Sequence, residues 1–229
     1  MKLAIVIPAY NEEKTIDAVL KTLPKKLDGV DEIVTIVVDD GSMDKTNQIA
    51  KVNANYVINH VVNLGVGAAT ITGFAAAKKL SADLIVTLDA DGQHNPDDVK
   101  KLIGPIVKHE ADVVIGTRML HTKGMPAMKI LGNWIMNFLT FLVFHKWSTD
   151  SQSGMKAFDK KAIKKMSFHS IGYEICSEII GEIKRNNLKL TEVPIEVIYT
   201  DYSKATGQYW INAINIFTRI INIKISGKK

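Results

Sequence analysis

The sequence predicts an α/β fold in which helices cover both faces of a mostly parallel central sheet. Two observations lead to this prediction. Short apolar runs alternate with helix-like segments over the first half of the chain, with short connections, and this alternation is typical of parallel sheets. Charged residues also follow several of the apolar runs directly, and ligands of open parallel sheets bind at the carboxyl ends of the strands.

The elements of this first half can be assigned in chain order. Strands are predicted over residues 2–8, 31–38, 56–60, 84–88 and 112–117. Helices are predicted over residues 11–23, from residue 44, and over residues 63–80 and 96–109. Asn11 and Asn95 are the expected caps of the first and last of these helices, because an Asn side chain accepts hydrogen bonds from the first backbone amides.

The helix predicted over residues 128–147 has an unusually broad apolar face and a narrow polar stripe. The stripe consists of Asn133, Asn137 and Thr140. The apolar part is too short to span a bilayer comfortably. Two interpretations remain open: a helix buried in the core, or one that lies in a membrane interface or lines a groove for a lipid chain.

The rest of the chain is predicted to add four elements. They are a strand ending near residue 158, a helix over 173–186, a strand over 192–199 and an amphipathic helix over 207–225 with a basic tail. The helix over 173–186 places Glu174, Glu178 and Glu182 on one face. Because carboxylates are strongly hydrated, we expect this face to point into solvent.

Composition limits the classes of function. The chain has 229 residues and one cysteine, Cys176, and this low cysteine content fits a reducing compartment. Its net charge of +5 is too small to indicate nucleic-acid binding by itself. Residues 115–148 and 202–229 contain no acidic residue and combine Lys or Arg with large apolar side chains. This combination predicts contact with an anionic membrane surface. No signal peptide is expected. The sequence also has no uninterrupted apolar run of about 20 residues, the length that a membrane-spanning helix needs.

Two carboxylates directly follow the apolar run at residues 84–88. Side chains of an extended chain alternate, so Asp89 and Asp91 can face one point beyond the strand, and Gln93 continues the same side. Hard oxygen ligands of this kind suit Mg²⁺ or Mn²⁺ carrying a diphosphate. These residues alone leave a simple turn as the alternative, because Asp and Gly are common turn formers.

Further polar groups are expected at the same edge of the sheet. Those that follow strands are Glu12, Asp39, Asp40 and Arg118. Together with the Tyr10 ring they suit metal-assisted transfer from a nucleotide diphosphate, in which the metal neutralises the leaving group. Gly65 and Gly67 open a helix and could face a phosphate, although they lack the full spacing of a dinucleotide or P-loop motif.

Several segments resemble the motifs of family 2 glycosyltransferases with the GT-A fold. They are residues 7–13 (IPAYNEE), 38–46 (VDDGSMDKT), 63–65 (NLG), 89–96 (DADGQHNP), 116–118 (GTR) and 150–158 (DSQSGMKAF). Their order and spacing also match, and the resemblance covers residues 2–194. Within the family, the chain is most similar to the dolichyl-phosphate mannose synthase and polyprenyl-phosphate glycosyltransferase branch.

The resemblance implies a Rossmann-like GT-A catalytic domain over residues 1–200, followed by an amphipathic, basic helix and tail over 201–229. Asp89, Asp91 and Gln93 would hold Mg²⁺ or Mn²⁺, and Asp91 and Arg118 would be catalytic. The residues implied to bind the donor nucleotide are Pro8, Ala9, Tyr10, Glu12, Val38, Asp39, Asp40, Ala90 and Lys204. Those implied to face the acceptor or its lipid are Arg118, Lys129, Asn133, Trp134 and Asn137.

The reaction implied by the resemblance is an inverting transfer of a sugar from a nucleotide-diphosphate donor to a polyprenyl (dolichyl) phosphate. A phosphate acceptor is already ionised near neutral pH, so alignment and metal charge suffice without a strong base. The synthases it resembles have an Arg where this sequence has Thr200. The donor therefore stays open among GDP-mannose, UDP-glucose and UDP-N-acetylglucosamine.

Two other interpretations of function remain open at this point. The same fold could transfer sugar to a lipid-linked or cell-surface glycan, for which Glu174 would be the candidate base. The protein could also be non-enzymatic, with a decayed site, and either bind a nucleotide sugar or act as a membrane scaffold. For the leading interpretation, we expect a peripheral protein at the cytoplasmic face of the membrane, a membrane protein as an optional partner, and no nucleic acid.

Overall fold

The structure is a computed structural model that describes residues 1–122, 124–198 and 218. Lys204 and the helix predicted over residues 207–225 therefore lie outside the described part, apart from Thr218. The strands are β1 (Lys2–Ala9), β2 (Glu32–Asp39), β3 (Tyr56–Asn59), β4 (Leu84–Thr87), β5 (Val113–Thr117), β6 (Lys156–Asp159) and β7 (Leu190–Pro194). The helices are α1 (Ile16–Thr22), α2 (Thr46–Asn53), α3 (Val66–Lys79), α4 (Asp98–Val107), α5 (Ala127–Phe144), α6 (Lys160–Lys165) and α7 (Ile175–Arg185).

A seven-stranded sheet runs through the described part of the chain in the order β3-β2-β1-β4-β6-β5-β7. Neighbouring strands are parallel except where β6 pairs antiparallel with both β4 and β5. The predicted α/β fold with a mostly parallel sheet is confirmed. Because β6 runs in reverse between β4 and β5, the loop before β6 comes back to the edge where β4 ends.

The sheet is covered on both faces, as β1 illustrates. Leu3, Ile5 and Ile7 belong to one buried apolar cluster, whereas Ala4 and Val6 belong to the other. Alternate side chains of a strand point to opposite faces, so a strand buried on both sides consists of a continuous apolar run. The first cluster contains residues of α1 and α4, and the second contains residues of α3 and α7.

The predicted helix caps Asn11 and Asn95 are wrong. The first helix begins only at Ile16, and Asn11 has a left-handed backbone with a φ of 55°. Its side-chain oxygen accepts a hydrogen bond from the Met43 amide at 2.9 Å, and its own amide donates to Ser42 Oγ at 2.9 Å. Asn11 therefore joins the loops after β1 and β2. Asn95 accepts from the Asp97 amide at 3.1 Å, one residue before α4.

The solvent-facing position predicted for the three glutamates of the 173–186 helix is also wrong. Glu174, Glu178 and Glu182 are buried. Glu178 accepts hydrogen bonds from the amides of His169 and Ser170, and Glu182 accepts from the amide of Ser167. The carboxylates replace water as partners for the backbone of the loop before α7, which the sequence pattern of one helix does not reveal.

The apolar helix after β5 is confirmed as α5, but its polar stripe faces the protein. Asn137 and Thr140 are 1% exposed. Seven large apolar side chains of α5 are exposed: Met128, Leu131, Trp134, Ile135, Phe138, Phe141 and Leu142. The interpretation of α5 as a buried core helix is therefore wrong, and so is the expectation that Asn137 faces a lipid.

Candidate active site

A cavity of about 380 Å³ opens at the carboxyl edge of the sheet, where β1, β2 and β4 end. The predicted donor and metal residues that line it are Pro8, Ala9, Tyr10, Glu12, Asp40, Asp89, Ala90 and Asp91. Parallel strands bring residues that are distant in sequence to this one edge. Asn63, Val66, Ala69 and Tyr173 also line the cavity and were not among the predicted site residues.

Asp89 is held in position in this site by two neighbours. His94 is buried and its Nε2 donates to Asp89 Oδ2 at 3.1 Å. Gly154, in the loop before β6, leaves room for the carboxylate, because a Cβ there would lie 1.9 Å from Asp89 Oδ2. Burial alone would raise the pKa of Asp89, but the hydrogen bond with His94 and the positive charge of Lys156 lower it below its usual value.

Asp91 carries the opposite shift. Burial and the negative charge of Asp89 raise the pKa of Asp91 above its usual value. Gln93 contacts it twice, because the Gln93 backbone amide donates to Asp91 Oδ1 at 2.9 Å and the Gln93 side-chain amide donates to Oδ2. Because the negative charges of Asp89 and Asp91 repel each other, a cation bound between the two carboxylates would be stabilised.

These residues fit a divalent metal. Within the described residues no group of three or more His, Cys, Asp and Glu side chains is assembled for a metal. The site offers instead the oxygens of Asp89 and Asp91 with the Gln93 amide beside them. Mg²⁺ and Mn²⁺ are commonly bound by only one or two carboxylates, with substrate phosphates and water completing the shell. The donor set therefore suits a metal that arrives with a diphosphate.

The two carboxylates at the end of β2, Asp39 and Asp40, differ in their hydrogen-bond partners. Asp40 is fully used by the protein: Oδ1 accepts from His60 Nδ1 at 2.7 Å and from the Leu64 amide at 3.0 Å, and Oδ2 accepts from the Gly65 amide at 2.8 Å. Asp39 is 1% exposed, and its Oδ1 accepts from the Ser42 amide at 3.0 Å. Its Oδ2 is buried without a hydrogen-bond partner. A buried carboxylate oxygen of this kind is costly unless a ligand donates to it.

Glu12 and Val38 complete the predicted donor residues. Burial raises the pKa of Glu12, although Thr15 Oγ1 donates to it at 2.8 Å, and the nearby charge of Asp91 raises the pKa further. Glu12 therefore adds to the excess of negative charge around the metal residues. Val38 is fully buried in β2, so its side chain belongs to the core.

Gly65 and Val66 at the amino terminus of α3 line the cavity. The amides of Gly65 and Gly67 are nevertheless bound within the protein, to Asp40 and to Ile171, so they are not the phosphate-binding amides that were expected. The amides of Gly67 and Ala68 donate to the Ile171 carbonyl oxygen at 2.9 and 3.1 Å. A Cβ at Gly67 would lie 2.3 Å from the Ser170 carbonyl oxygen. Glycine is needed here because the loop before α7 packs directly on the start of α3, and this loop continues into Tyr173 on the cavity wall.

Arg118 and Lys129, two cations predicted to face the acceptor, lie near the metal residues. Arg118 follows β5, and its guanidinium binds the buried carboxylate of Asp150 through Nε and a terminal nitrogen, both at 2.7 Å. Burial lowers the pKa of Lys129, and the charge of Arg118 lowers it further, whereas Asp91 acts in the opposite direction. Lys129 is therefore within electrostatic reach of Arg118 and Asp91, and Arg118 is within reach of Asp89.

The remaining predicted residues of the acceptor side separate into two faces of α5. Trp134 is 50% exposed and its ring lies 5.9 Å from that of Trp147. Asn133 is partly buried and its side-chain amide donates to Met119 Sδ at 3.8 Å. Asn137 is turned inward to the loop that holds Asp150.

Glu174, the candidate base for a glycan acceptor, is not among the cavity-lining residues. It is 4% exposed and accepts from the Gly172 amide at 3.1 Å. Its neighbour Tyr173 lines the cavity instead, and burial, followed by the charge of Asp89, raises the Tyr173 pKa. His94, Gly154 and Asp150 were missed as site residues although they lie in the motif segments 89–96 and 150–158.

The chain after β7 returns to the metal loop. The Ile198 amide donates to the Gln93 carbonyl oxygen at 2.8 Å, and the Glu196 amide donates to Asp98 Oδ2 at 2.7 Å. Val197 also forms an isolated antiparallel bridge with His94. Residues 195–198 therefore hold the loop that carries Asp91 and Gln93 from outside the sheet.

Comparison with known proteins gives relatives in sequence and in structure. The family model described as glycosyl transferase family 2 matches residues 4–167. A UDP-N-acetylglucosamine–dolichyl-phosphate N-acetylglucosaminyltransferase of Methanococcus voltae is 43% identical over 243 residues, which cover 96% of this chain and 95% of that protein. A dolichol-phosphate mannosyltransferase of Pyrococcus furiosus is 31% identical, covering 97% of this chain and 63% of that one.

A solved structure supports the same assignment at the level of the fold. Glucosyl-3-phosphoglycerate synthase from Mycobacterium tuberculosis, in complex with Mn²⁺ and UDP-glucose, superposes with a TM-score of 0.70 at 24% identity. The match covers 98% of this chain and 78% of that one. With the GT-A fold, the carboxylate pair and the matching family model in agreement, the chain belongs to glycosyl transferase family 2.

Proposed function

We propose that this glycosyltransferase moves a sugar from a nucleotide-diphosphate donor to the phosphate of a polyprenyl or dolichyl phosphate at a membrane surface. The Methanococcus voltae relative, 43% identical, is named for transfer of N-acetylglucosamine from UDP to dolichyl phosphate, so UDP-N-acetylglucosamine is the first donor to test. GDP-mannose and UDP-glucose are the alternatives, because other relatives are named as mannosyl- and glucosyltransferases. The proposed location is the cytoplasmic face, with the protein bound peripherally.

The orientation of α5 is the observation that carries the proposal. Leu131, Trp134, Phe138 and Phe141 are between 37% and 53% exposed on one face. A contiguous apolar patch on a protein surface marks an interaction site. Aromatic residues beside basic ones suit the boundary between lipid headgroups and acyl chains. Because Lys129 stands in the first turn of the same helix, the apolar face borders the acceptor side of the site.

The helix suits an interfacial position more than a spanning one. Within the described residues, α5 alone is long and apolar enough to cross a membrane by length and composition. However, Asn137 and Thr140 form hydrogen bonds with the loop at residues 148–153 of the globular domain. Lipid cannot satisfy these polar groups, so we propose that only the outward face enters the interface.

The donor side has groups for each part of a nucleotide sugar. The unpaired Asp39 Oδ2 is suited to accept the imide N–H of uracil or a ring N–H of guanine, and the 44% exposed Tyr10 ring offers a surface for a base to stack on. Asp89, Asp91 and the Gln93 amide oxygen would hold Mg²⁺ or Mn²⁺. When bound, such a metal would neutralise the diphosphate as it leaves.

In the proposed reaction an oxygen of the acceptor phosphate attacks the anomeric carbon of the sugar. The bond from that carbon to the diphosphate breaks, configuration inverts, and the products are the nucleoside diphosphate and a lipid-phosphate sugar. A phosphate nucleophile is already ionised, so the protein has no proton to remove. Arg118 and Lys129 would bind and orient its negative charge, and holding two reactants in line is by itself a large part of such a rate enhancement.

The test is a donor screen with label followed into the organic phase. Purified protein, Mg²⁺ or Mn²⁺ and a polyprenyl phosphate in detergent would be incubated with labelled UDP-N-acetylglucosamine, UDP-glucose or GDP-mannose. We expect lipid label from one donor, and a loss of at least about 100-fold in Asp91→Asn, because the charge that holds the metal is halved. Lys79→Gln, on the far end of α3, is the matched control.

The screen can also overturn the proposal. If no donor labels the lipid while UDP still raises the melting temperature, the acceptor is not a polyprenyl phosphate. Label transferred to a lipid-linked or cell-surface glycan under the same conditions would favour the glycan-extending alternative. Binding without transfer or hydrolysis of any donor would favour a protein that only binds nucleotide sugars.

A further inference from the structure

The loop at residues 148–153 contains a buried carboxylate that fixes Arg118. Asp150 is fully buried. It accepts from the Arg118 backbone amide at 3.0 Å, from Nε at 2.7 Å and from a terminal guanidinium nitrogen at 2.7 Å. A bidentate pair of this kind sets the plane and the direction of a guanidinium.

The start of this loop is held by β7. Glu192 accepts from Ser148 Oγ at 2.7 Å, from the Thr149 amide at 2.8 Å and from Thr149 Oγ1 at 2.7 Å. Thr149 Oγ1 also lies 2.9 Å from Thr117 Oγ1, next to Arg118 in sequence. Backbone and side chains on the amino-terminal side of Asp150 are therefore fixed before the carboxylate meets Arg118.

Asn137 of α5 holds the loop on both sides of Asp150. Its side-chain amide donates to the Thr149 carbonyl oxygen at 2.6 Å, and its side-chain oxygen accepts from the Ser151 amide and Oγ, both at 2.9 Å. Thr140, on the next turn of α5, lies 2.8 Å from Ser177 Oγ of α7. The inward face of α5 is thus hydrogen-bonded to the same loop that sets Arg118.

We propose that Asp150 is a positioning residue for the acceptor phosphate, and that Asn137 fixes it relative to the membrane-facing side of α5. Arg118 is then held at a set distance from the lipid surface, so that a phosphate on a membrane-inserted chain meets a guanidinium already in place. This inference rests on the proposed lipid-phosphate acceptor. Reactive geometry has to be held to within a fraction of an ångström by supporting residues, and this network supplies that support.

The test compares acceptor and donor kinetics in Asp150→Asn. Asn keeps the shape of the side chain but cannot accept two charge-assisted hydrogen bonds. We expect the apparent KM for polyprenyl phosphate to rise about 10-fold or more, while the KM for the donor and the half-saturating metal concentration change less than about 2-fold. Asn137→Ala is expected to shift the same parameter in the same direction by a smaller factor.

A double-mutant cycle separates positioning from general damage. In an Arg118→Ala background, Asp150→Asn should have no further effect on the acceptor KM, because its effect passes through that guanidinium. Arg118→Lys keeps the charge without the bidentate contact and should reproduce the Asp150→Asn shift even if Asp150 variants fold poorly. Asp112→Asn is the matched control: Asp112 is also a buried, ion-paired carboxylate, and it should leave the acceptor KM unchanged.

The outcomes distinguish this inference from the proposed function. An unchanged acceptor KM in folded Asp150→Asn and Arg118→Lys, with active wild-type protein, would overturn the positioning role alone. So would a full Asp150→Asn effect that persists in Arg118→Ala. Absence of lipid transfer by the wild-type protein would overturn both proposals.

Discussion

The helices α5 and α7 pack against each other, and both turn polar side chains towards the protein interior. Their outer sides differ. The apolar residues of α7 are buried between the sheet and its neighbours, with Lys184 and Arg185 exposed at its end, whereas the apolar residues of α5 are left exposed. The inward polar groups of both helices bind loop backbone, through Glu178 and Glu182 in α7 and through Asn137 in α5.

This difference teaches that a polar stripe does not identify the solvent side of a helix. Buried polar groups are stable when backbone donors and acceptors are there to meet them. Both helices lie beside irregular loops whose backbone groups need partners, so both stripes point inward. The two helices differ in whether the remaining apolar surface is covered by protein. Within the part of the chain that the structure describes, the outer apolar surface of α5 is left uncovered.

The largest expected effect tests the uncovered face of α5. Replacing Trp134 and Phe138 together with Glu should weaken binding to vesicles that contain anionic lipid by about 100-fold or more, because each large apolar side chain buried in lipid contributes about 1.5–3 kcal/mol. Co-sedimentation with vesicles measures this. The melting temperature should hardly change, since exposed positions seldom affect stability. A fall in stability without a fall in vesicle binding would mean that this face packs on protein.

The second effect tests the covered side, in α7. Glu178→Leu removes the acceptor of the His169 and Ser170 amides and should lower the free energy of unfolding by about 2–4 kcal/mol, because buried N–H groups are left without partners. Urea denaturation at neutral pH measures this loss. Lys184→Leu on the exposed end of the same helix is the control. Equal stability of the two variants would contradict the role assigned to the buried carboxylates.

Residues near the start of the chain could be predicted better from sequence than those near its middle. The run from Lys2 to Ala9 is apolar on both faces, so β1 and its parallel neighbours follow from local pattern alone. The alternation of Asp89 and Asp91 likewise identified two residues of the cavity wall. These features depend on neighbours within a few positions, which is what periodicity records.

The surroundings of the residues predicted to face the acceptor depended on contacts that periodicity does not record. The pairing of Asp150 with Arg118 joins residues 32 positions apart, and the Gly67 amide meets Ile171 from a distant loop. The inward direction of Asn137 likewise followed from the position of residues 148–153, not from the pattern of α5. A side chain's partner across the fold decides its role in each case.

A third, smaller effect tests the contact between the two helices. A Cβ at Gly181 of α7 would lie 2.5 Å from the Phe144 ring of α5, so Gly181→Ala should lower the free energy of unfolding by about 1–2 kcal/mol through overpacking. Gly132→Ala in α5 is the matched control, because a Cβ there meets nothing within 4 Å. The control should be stabilised by up to about 1 kcal/mol, since Ala is the better helix former. Thermal unfolding of both variants measures these changes. Stabilisation of both variants would contradict the close packing of Gly181 against Phe144.

The smallest effect concerns the turn after α7, which Asp112 holds by accepting from the Lys189 amide at 2.8 Å and from Lys161 Nζ at 2.8 Å. Burial opposes these contacts, but together they lower the Asp112 pKa below its usual value of 3.8. The folded state therefore binds this proton less tightly than the unfolded state, and the stabilisation is present above about pH 4 and lost as the pH falls through the folded pKa.

The matching variant is Asp112→Asn. Its free energy of unfolding should be about 1 kcal/mol lower than that of the wild type at pH 7, and the difference should close towards pH 3. Urea denaturation over this pH range measures both curves, and vesicle binding at pH 7 should be the same for the two proteins because α5 is untouched. If the difference in free energy of unfolding between the two proteins widened in acid, the linkage would have the opposite sign. Asp112 would then not be the group that holds this turn.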